Sequence, residues 1–453
     1  MSLTDTIPTS VVTKANLHTY SVEEKNRREL AIKNKDFYHG AQAKYITPLN
    51  ADVDIVYVNL TQPVVKKKTS LLYARPLKRE FTGPSESISF LEDTYEKLNI
   101  DHQLKTADLL SELTGTSVFH VGLNDAGEIE LLLFDASDFS VVSEGFDKNK
   151  IDAISLVSLQ QELKGTAKQP QVQQSLKNQV WTNEWITTFA NGVRTIQEPN
   201  ELGFIPFAAF KGQDVNGQYL GHAPANDIRS LNDIINNQLT NLGYMIKMQS
   251  ATPVVIAGFE NGVGVTIHPG RAISLPAGAT ATALQLNPKI EDTLAEIKYL
   301  EEKLYETSAI PKVSVVGDAT ANSGKELLIR WYPLIQSFKE KALRYQTYEL
   351  DFANMILKVK GLAPVTAILI DWAEESLLPI STDTEDMEEL FKWGITTPVD
   401  VLQRRDPTLD DTEAEAEVRT NVDFNKQLNP REAKPQIIVD KKEEDISNGG
   451  LDG

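Results

Sequence analysis

A lysine that follows a glycine-flanked loop and opens a helix is a common way for a chain to hold phosphate. Residues 317–326, "GDATANSGKE", supply Gly317, Gly324 and Lys325 in that order. The chemistry asks for four residues between the glycines and a Ser or Thr after the lysine, so that N–H groups curl onto the phosphates and a hydroxyl reaches magnesium. Here six residues separate the glycines, and Glu326 stands where the hydroxyl is needed. A carboxylate at that position repels a triphosphate, so the stretch reads as a surface loop with Ser323 as the N-cap of the helix that follows. A P-loop-like nucleotide hydrolase is retained only as an alternative. The other chemistry-bearing types offer less. His18, His39, His102, His120, His222 and His268 are scattered without metal-ligand spacing, and there are no cysteines, which removes disulfides, thiolate metal sites and thiol nucleophiles. No catalytic, cofactor or metal site is expected, and the chain reads as no enzyme.

The elements that must carry these residues follow from length and pattern. At 453 residues the chain exceeds one ordinary core, so several domains or an elongated subunit are expected. Its formal charge of −19 argues against wrapping the DNA backbone, which needs clustered Lys and Arg, but leaves room for a protein that surrounds DNA without gripping it. The start, "MSLTDTIPTSVVTK", lacks a basic region followed by an apolar run, and no stretch of 18 apolar residues occurs, so a soluble, non-secreted chain without membrane contact is expected.

Along the chain, Ser21 and Glu24 form a capping box for a charged helix closed by Gly40. Helices are expected near Asn59–Tyr73, Ser85–Leu98 and Asp101–Leu113. From Thr116 the period changes to strands: "TSVFHVGL" and "EIELLLF" around the turn "NDAG", then "DFSVVS" and "DAISLVSL". "ELKGTAKQPQVQQSLKNQ" is polar and reads as a loop, and Asn191-Gly192 between "WITTF" and "VRTIQ" is the clearest hairpin signal. Residues 224–249 form a helix with an apolar stripe and an amide-rich flank: Asn232, Asn236, Asn237, Gln238 and Asn241. Such a flank suits packing beside other helices, or facing something that must not be held tightly; a plain polar surface is the competing reading. A β-rich insert fills 250–290, a helix runs from Glu291 to Thr307, and a long helix carrying Pro333 spans about 324–360. Between Asp371 and Asp423 there are 16 Asp or Glu against 4 Lys or Arg, with capped helices expected, and residues 429–453 are expected to be disordered.

This ordered series resembles the portal (head-to-tail connector) proteins of tailed bacteriophages over roughly residues 20–425. The likeness is carried by "VNLTQPVVKKKTSLLYARPLK", "GTSVFHVGLNDAGEIELLLFDASDFSVV", "ELGFIPFAAF", "APANDIRSLNDIINNQLTNLGYMIK", "NSGKELLIRWYPLIQSFKEKALRYQTYELDFANMILKVKGL" and "STDTEDMEELFKWGITTPVDVLQRRD". The resemblance implies an α+β, mainly helical, ring-forming fold. Residues 1–223 would be the wing, 224–249 and 291–307 the stem helices, 250–290 the clip, 308–324 the tunnel loop, 325–380 the long kinked helix and return to the wing, 381–428 the crown and 429–453 the tail. It further implies a dodecameric homo-oligomer at one capsid vertex of the virion, assembled in the host cytoplasm. The ring would pass double-stranded DNA and would touch the terminase large subunit, a tail or neck adaptor and the major capsid protein, with scaffold a further candidate. Another non-enzymatic capsid or neck component is the nearest alternative.

Ring geometry agrees with that implication. Twelve helices of about 10 Å diameter, side by side, leave a lumen of roughly 28 Å. That admits a duplex of roughly 20 Å with little room to spare. Lys247, Lys312 and Lys325 are the candidates for DNA proximity, each with an ordinary solvated lysine as its plainer reading. Val315, Gly317, Asp318, Asn322, Ser323 and Gly324 are the tunnel-loop candidates.

Overall fold

The computed structural model describes residues 22–48, 53–143, 147–166, 169–250, 254–257, 280–283, 290–311, 324–372, 397–405 and 409–428. About half of the described chain is helical and the sheets are antiparallel. Two compact units result, the first holding the elements up to β12 and the second the C-terminal helices.

In the first unit, α1 (Val22–Tyr38), α2 (Thr61–Leu72), β1 (Lys78–Thr82), α3 (Ser85–Lys97) and α4 (Ile100–Thr114) precede the hairpin of β2 (Thr116–Leu123) and β3 (Ile129–Asp135). These match the periodicity of the sequence within a few residues. β4 (Phe139–Val142), β5 (Ala153–Thr166), β6 (Gln169–Trp181), β7 (Trp185–Ala190) and β8 (Val193–Pro199) form a five-stranded meander in chain order. The hairpin at Asn191-Gly192 has both residues at positive φ (49° and 79°), the mirror-image turn that suits a twisted two-residue hairpin. β9 (Phe207–Lys211) returns to pair with β2, giving a second sheet of order β3-β2-β9.

One expectation needs correction. "ELKGTAKQPQVQQSLKNQ" is a ribbon, not a loop: β5 and β6 pair from Ile154↔Trp181 out to Thr166↔Gln169. Polarity misleads here because a two-stranded ribbon satisfies its backbone by pairing and has no obligatory apolar face. The pairing of β1 with β12 (Ala367–Asp371) also escapes the sequence pattern; it ties the end of the long helix back to the N-terminal half.

α5 (Ala225–Ser250) and α6 (Ile290–Thr307) flank a small pair of strands, β10 (Val254–Ala257) and β11 (Thr280–Ala283), all that is described of the β-rich insert. The expected strands "VGVTIH" and "RAISL" lie outside the described residues. α7 (Gly324–Lys360) is one helix through Pro333. Its C-terminal half is driven into the largest core, where Tyr345, Phe352 and Ile356 meet Leu91, Leu104, Phe119 and Phe210. Phe119 contacts Phe210 edge-on at 5.7 Å and Phe352 at 4.9 Å. Each such ring, fully buried, contributes about 1.5–3 kcal/mol. A second core joins α2, α4, α5 and α6 through Val64, Leu113, Ile228, Ile235 and Leu304, and a third fills the space between the two sheets.

The second unit contains α8 (Pro398–Arg405) and α9 (Asp411–Leu428). Both open with reciprocal caps: the Asp400 N–H donates to Thr397 Oγ1 at 3.1 Å and the Glu413 N–H to Asp410 Oδ1 at 2.8 Å. The expected helix "DTEDMEELFKWG" and the tail 429–453 lie outside the described residues.

Candidate functional site: a helix pair, its strap and the long helix

The α5 stripe read from the sequence packs as expected. Leu231, Ile235 and Leu239 meet Ile297, Leu300 and Leu304 of α6, and Gln238 Nε2 donates to Glu296 Oε1 at 3.2 Å. The amide-rich flank is where the structure departs from the reading. The five amides do not form one face. Asn232 and Asn236 are fully buried, and their partner is the chain itself, an extended strap of residues 53–60, "VDIVYVNL".

The strap runs antiparallel to α5, and every second residue faces the helix. Asn232 Oδ1 accepts from the N–H groups of Leu60 (3.1 Å) and Thr61 (3.2 Å) and from Thr61 Oγ1 (3.0 Å), while its Nδ2 donates to the Val58 carbonyl at 2.9 Å. Asn236 Oδ1 accepts from the Val58 N–H at 2.9 Å and its Nδ2 donates to Gln42 Oε1 at 2.6 Å. Thr240 Oγ1 accepts from the Val56 N–H (3.2 Å) and donates to the Val56 carbonyl (2.9 Å). One turn further on, Gly243 faces Val56, where a Cβ would stand 3.4 Å from Val56 Cγ2. Lys247, a DNA-proximity candidate, ends the row with its ammonium 3.3 Å from Asp54 Oδ2, both groups well exposed. An exposed pair of that kind contributes little.

The remaining amides stand elsewhere on α5. At 3.6 residues per turn, Asn237 and Asn241 share a half-exposed flank with Ser230 and Ile234, between the strap and α6. Asn237 Nδ2 bonds back to the Asp233 carbonyl at 2.9 Å. The DNA-proximity candidate Lys312 and the tunnel-loop candidates Val315, Gly317, Asp318, Asn322 and Ser323 lie outside the described residues. Gly324 and Lys325 are the first residues of α7, with only their backbone described. The structure thus brings Asn232, Asn236 and Lys247 together on the strap.

Sequence reasoning passed over the long helix's own polar stripe. Lys341, Tyr345 and Glu349, spaced four apart, are all buried. Against them lies antiparallel α4. Lys341 Nζ is 2.7 Å from Asp108 Oδ1 and 3.4 Å from Glu112 Oε2, and Lys68 of α2 reaches Glu112 Oε1 at 2.8 Å. The Tyr345 hydroxyl donates to Asp108 Oδ1 at 2.6 Å. Two turns along, Glu349 is bonded by Arg79, whose other arm meets Asp101 at 2.6 Å. Burial by itself raises all three buried carboxyls. At Glu112 the two ammonium groups outweigh it and hold the group at about 2. At Asp108 and Glu349 burial prevails over Lys341 and Arg79 respectively, so both stay raised. The i, i+4, i+8 spacing was the available signal, but charged residues on a long helix read as solvated.

Among the described histidines, His120 is one whose surroundings shift its titration. It sits between Trp181 and Phe207, with ring centroids 4.8 and 5.0 Å away, and burial lowers it to about 4. Among the described residues no group of His, Cys, Asp and Glu is arranged to hold a metal ion, and no helix is long and apolar enough to cross a membrane.

Comparison with known proteins completes the picture. Three solved structures are similar to this chain at low identity. One is a chain of the virion of the native gene transfer agent (GTA) particle, at 12% identity and TM-score 0.42, covering 73% of this chain and 84% of that chain. Another comes from the neck of the empty GTA particle computed with C6 symmetry, at 14% and 0.45, covering 74% and 85%. The third is from the neck of the native GTA particle computed with C12 symmetry, at 12% and 0.43, covering 80% and 95%. No curated protein sequence matches. The model of the family described as phage portal protein, SPP1 Gp6-like, matches residues 17–366, a span that takes in the strap, both sheets, α5, α6 and the whole of α7. On that match the chain belongs to the phage portal protein family, and is a structural protein of a bacteriophage-like virion.

Proposed function

We propose that the chain is the subunit of a portal ring, dodecameric in the particle, through which double-stranded DNA is packaged and ejected. In this reading α5 and α6 are the stem, residues 250–290 the clip that meets the terminase large subunit and later the tail or neck adaptor, and 308–324 the tunnel loop. Residues 1–223 with the return after α7 are the wing beside the major capsid protein, and 381–428 the crown. The observation that carries the reading is the family match across residues 17–366. The remaining flank of α5 is consistent with it: Ser230, Ile234, Asn237 and Asn241 include no Lys or Arg, so the flank offers nothing that would hold a phosphate backbone.

Electron microscopy of the purified chain tests the assembly. A twelvefold ring with an axial hole is expected; a monomer, or a ring without a hole, would remove the proposal. The loop is tested separately by deletion within 312–322, which spares Ile310, packed against the α5–α6 core. The ring should assemble and DNA retention should fall.

A further inference from the structure

The strap is anchored to α5 through its backbone and still shows its side chains to water. Ile55, Val56, Tyr57 and Val58 are consecutive large apolar residues, exposed by 42, 43, 45 and 39%, although α5 holds the backbone of Val56 and Val58. A run of four exposed apolar residues marks a surface meant for a partner. Directly after the strap, α2 carries Lys66, Lys67 and Lys68 and no acid. Lys68 is paired with Glu112, while Lys66 and Lys67 are exposed, Lys67 standing 5.4 Å over the Trp331 ring. Asp54, at the strap's other end, is paired with Lys247. In a chain of −19 this is a locally positive face.

α6 presents the opposite sign. From Ile290 to Thr307 it carries six Asp or Glu against Lys298 and Lys303. Ile297, Leu300 and Leu304 pack inward, and on the side away from them Tyr299, Glu302 and Glu306, spaced three and four apart, share one stripe. All three are exposed, Tyr299 by 57%. Lys303 stands beside them, 2.6 Å from Glu306 and 5.5 Å over the Tyr299 ring, and Glu302 keeps the stripe net negative.

The two faces lie on different sides of α5 and at the same height. The strap follows Asn232, Asn236 and Thr240, whereas α6 packs on Leu231, Ile235 and Leu239. Val58 is bonded to Asn236, and Glu296, one turn before Tyr299, is bonded to Gln238, so Tyr57, Val58 and Tyr299 stand within about one turn of each other along α5. Towards the start of α5, Lys66 and Lys67 follow Val64 and Val65, which pack with Ala225 and Ile228, and Glu302 and Glu306 flank Leu304 of the same core. Each face thus has an apolar centre and a charged end in the same order, and the charges are opposite.

We infer that the strap and α2 of one copy of the chain dock on the α6 stripe of the next copy, Tyr299 entering the apolar strap and Lys66 and Lys67 meeting Glu302 and Glu306. The occupant is a second copy because the chain carries both halves of the contact. Two unlike, complementary faces on one subunit join head to tail, and such joining makes a ring when the rotation closes. An acidic chain repels its own copies except where a positive face meets a negative one, so the charge pattern selects this pairing. The inference rests on the ring reading for one point, that copies are turned about an axis along α5, which keeps the two faces at equal height.

The chain has no cysteine, so an introduced pair reports this contact alone. Under mild oxidation the full chain with Tyr57→Cys and Tyr299→Cys should give a ladder of disulfide-linked multimers on non-reducing gels, and neither single variant should give dimers. Lys66→Glu with Lys67→Glu should lower the yield of ring about tenfold without moving the urea midpoint, and adding Glu302→Lys and Glu306→Lys should restore it. A ring that assembles with no ladder, dimers from a single-cysteine variant, an unchanged yield after the lysines are reversed, or no restoration by the fourfold reversal would overturn the inference and leave the ring reading in place. A chain that stays monomeric before any substitution would remove both.

Discussion

Two buried polar seams hold distant parts of this chain together, and they do it with opposite chemistry. The strap is fixed to α5 by neutral amides and a hydroxyl; α4 is fixed to α7 by carboxylates, an ammonium and a guanidinium. The difference follows from what lies opposite. A strand offers alternating N–H and C=O, and an Asn can serve both, as Asn232 does with the Leu60 N–H and the Val58 carbonyl. A helix has spent its backbone groups, so α4 and α7 must meet through side chains. Buried there, each charge needs a counter-charge. Both seams fix register. A one-turn slip of α7 that brought Glu349 to the place of Tyr345 would set it beside Asp108, carboxylate against carboxylate.

The ionic seam should be the costlier to cut. Lys341→Met leaves Asp108 and Glu112 buried with one ammonium fewer, and a loss of about 3–5 kcal/mol is expected in urea denaturation. Removing the charges together, with Lys341→Met, Asp108→Leu and Glu112→Leu, should recover most of it. If Lys341→Met alone shifts stability by under about 1 kcal/mol, the seam is hydrated and the contrast with the strap fails.

His120 sharpens the contrast by being a half-buried ionisable group with no counter-charge. Its folded value of about 4 lies below the ordinary 6.5, so the unfolded chain binds the proton first. The stability it contributes is complete above pH 6.5 and is lost as the pH falls towards 4, by about 3 kcal/mol in all. Glu112 acts in the next window: held at about 2 against an ordinary 4.5, its contribution is present above 4.5 and declines as the pH falls towards 2. Denaturation followed from pH 7 to 2 in His120→Phe should lose the first part of this slope and keep the second. An unchanged slope above pH 4.5 would show that His120 is solvated.

Next in size is the neutral seam. Asn232→Ala strands the Val58 carbonyl and the Leu60 and Thr61 N–H groups, and a loss of about 1–3 kcal/mol is expected, with faster proteolysis within residues 53–60. Thr240→Val, which keeps the shape and removes a single bridging hydroxyl, should cost about 1 kcal/mol. If Asn232→Ala leaves the cleavage rate unchanged, the strap is held by its apolar side chains and not by the amides.

These seams also show what the sequence could disclose. The helices, the β2–β3 hairpin and the Asn191-Gly192 turn were legible because each is decided within about twenty residues by period and turn chemistry. The excess of amides on α5 was legible as composition, but its target was not, since the strap lies 172 residues before Asn232 at Leu60. Nothing local marks that pairing. Lys341 and Glu349 were passed over for a related reason. Their counter-charges come from Asp108, Glu112 and Arg79, and burial of a charge is legible only once its partner is in place. The β5–β6 ribbon failed differently, because its stability comes from a ladder of backbone bonds that polar residues carry as well as apolar ones.

The smallest effect on the fold is expected where the amides have no seam to serve. Asn237 and Asn241 stand on the α5 flank that neither the strap nor α6 covers, so Asn237→Lys with Asn241→Lys should leave the stability of the chain within about 0.5 kcal/mol of the original. Helix propensity even favours lysine over asparagine slightly. If that flank lines the conduit, a ring of such subunits presents a band of ammonium groups to the duplex. DNA would then release counterions to the wall, and passage should slow with a steep dependence on salt. If the flank instead meets the next subunit, the same change should disrupt ring assembly at any salt concentration. Packaging rate against ionic strength, measured beside the ring yield, separates the two. An unaltered rate with an intact ring would show that the flank faces neither DNA nor a neighbour.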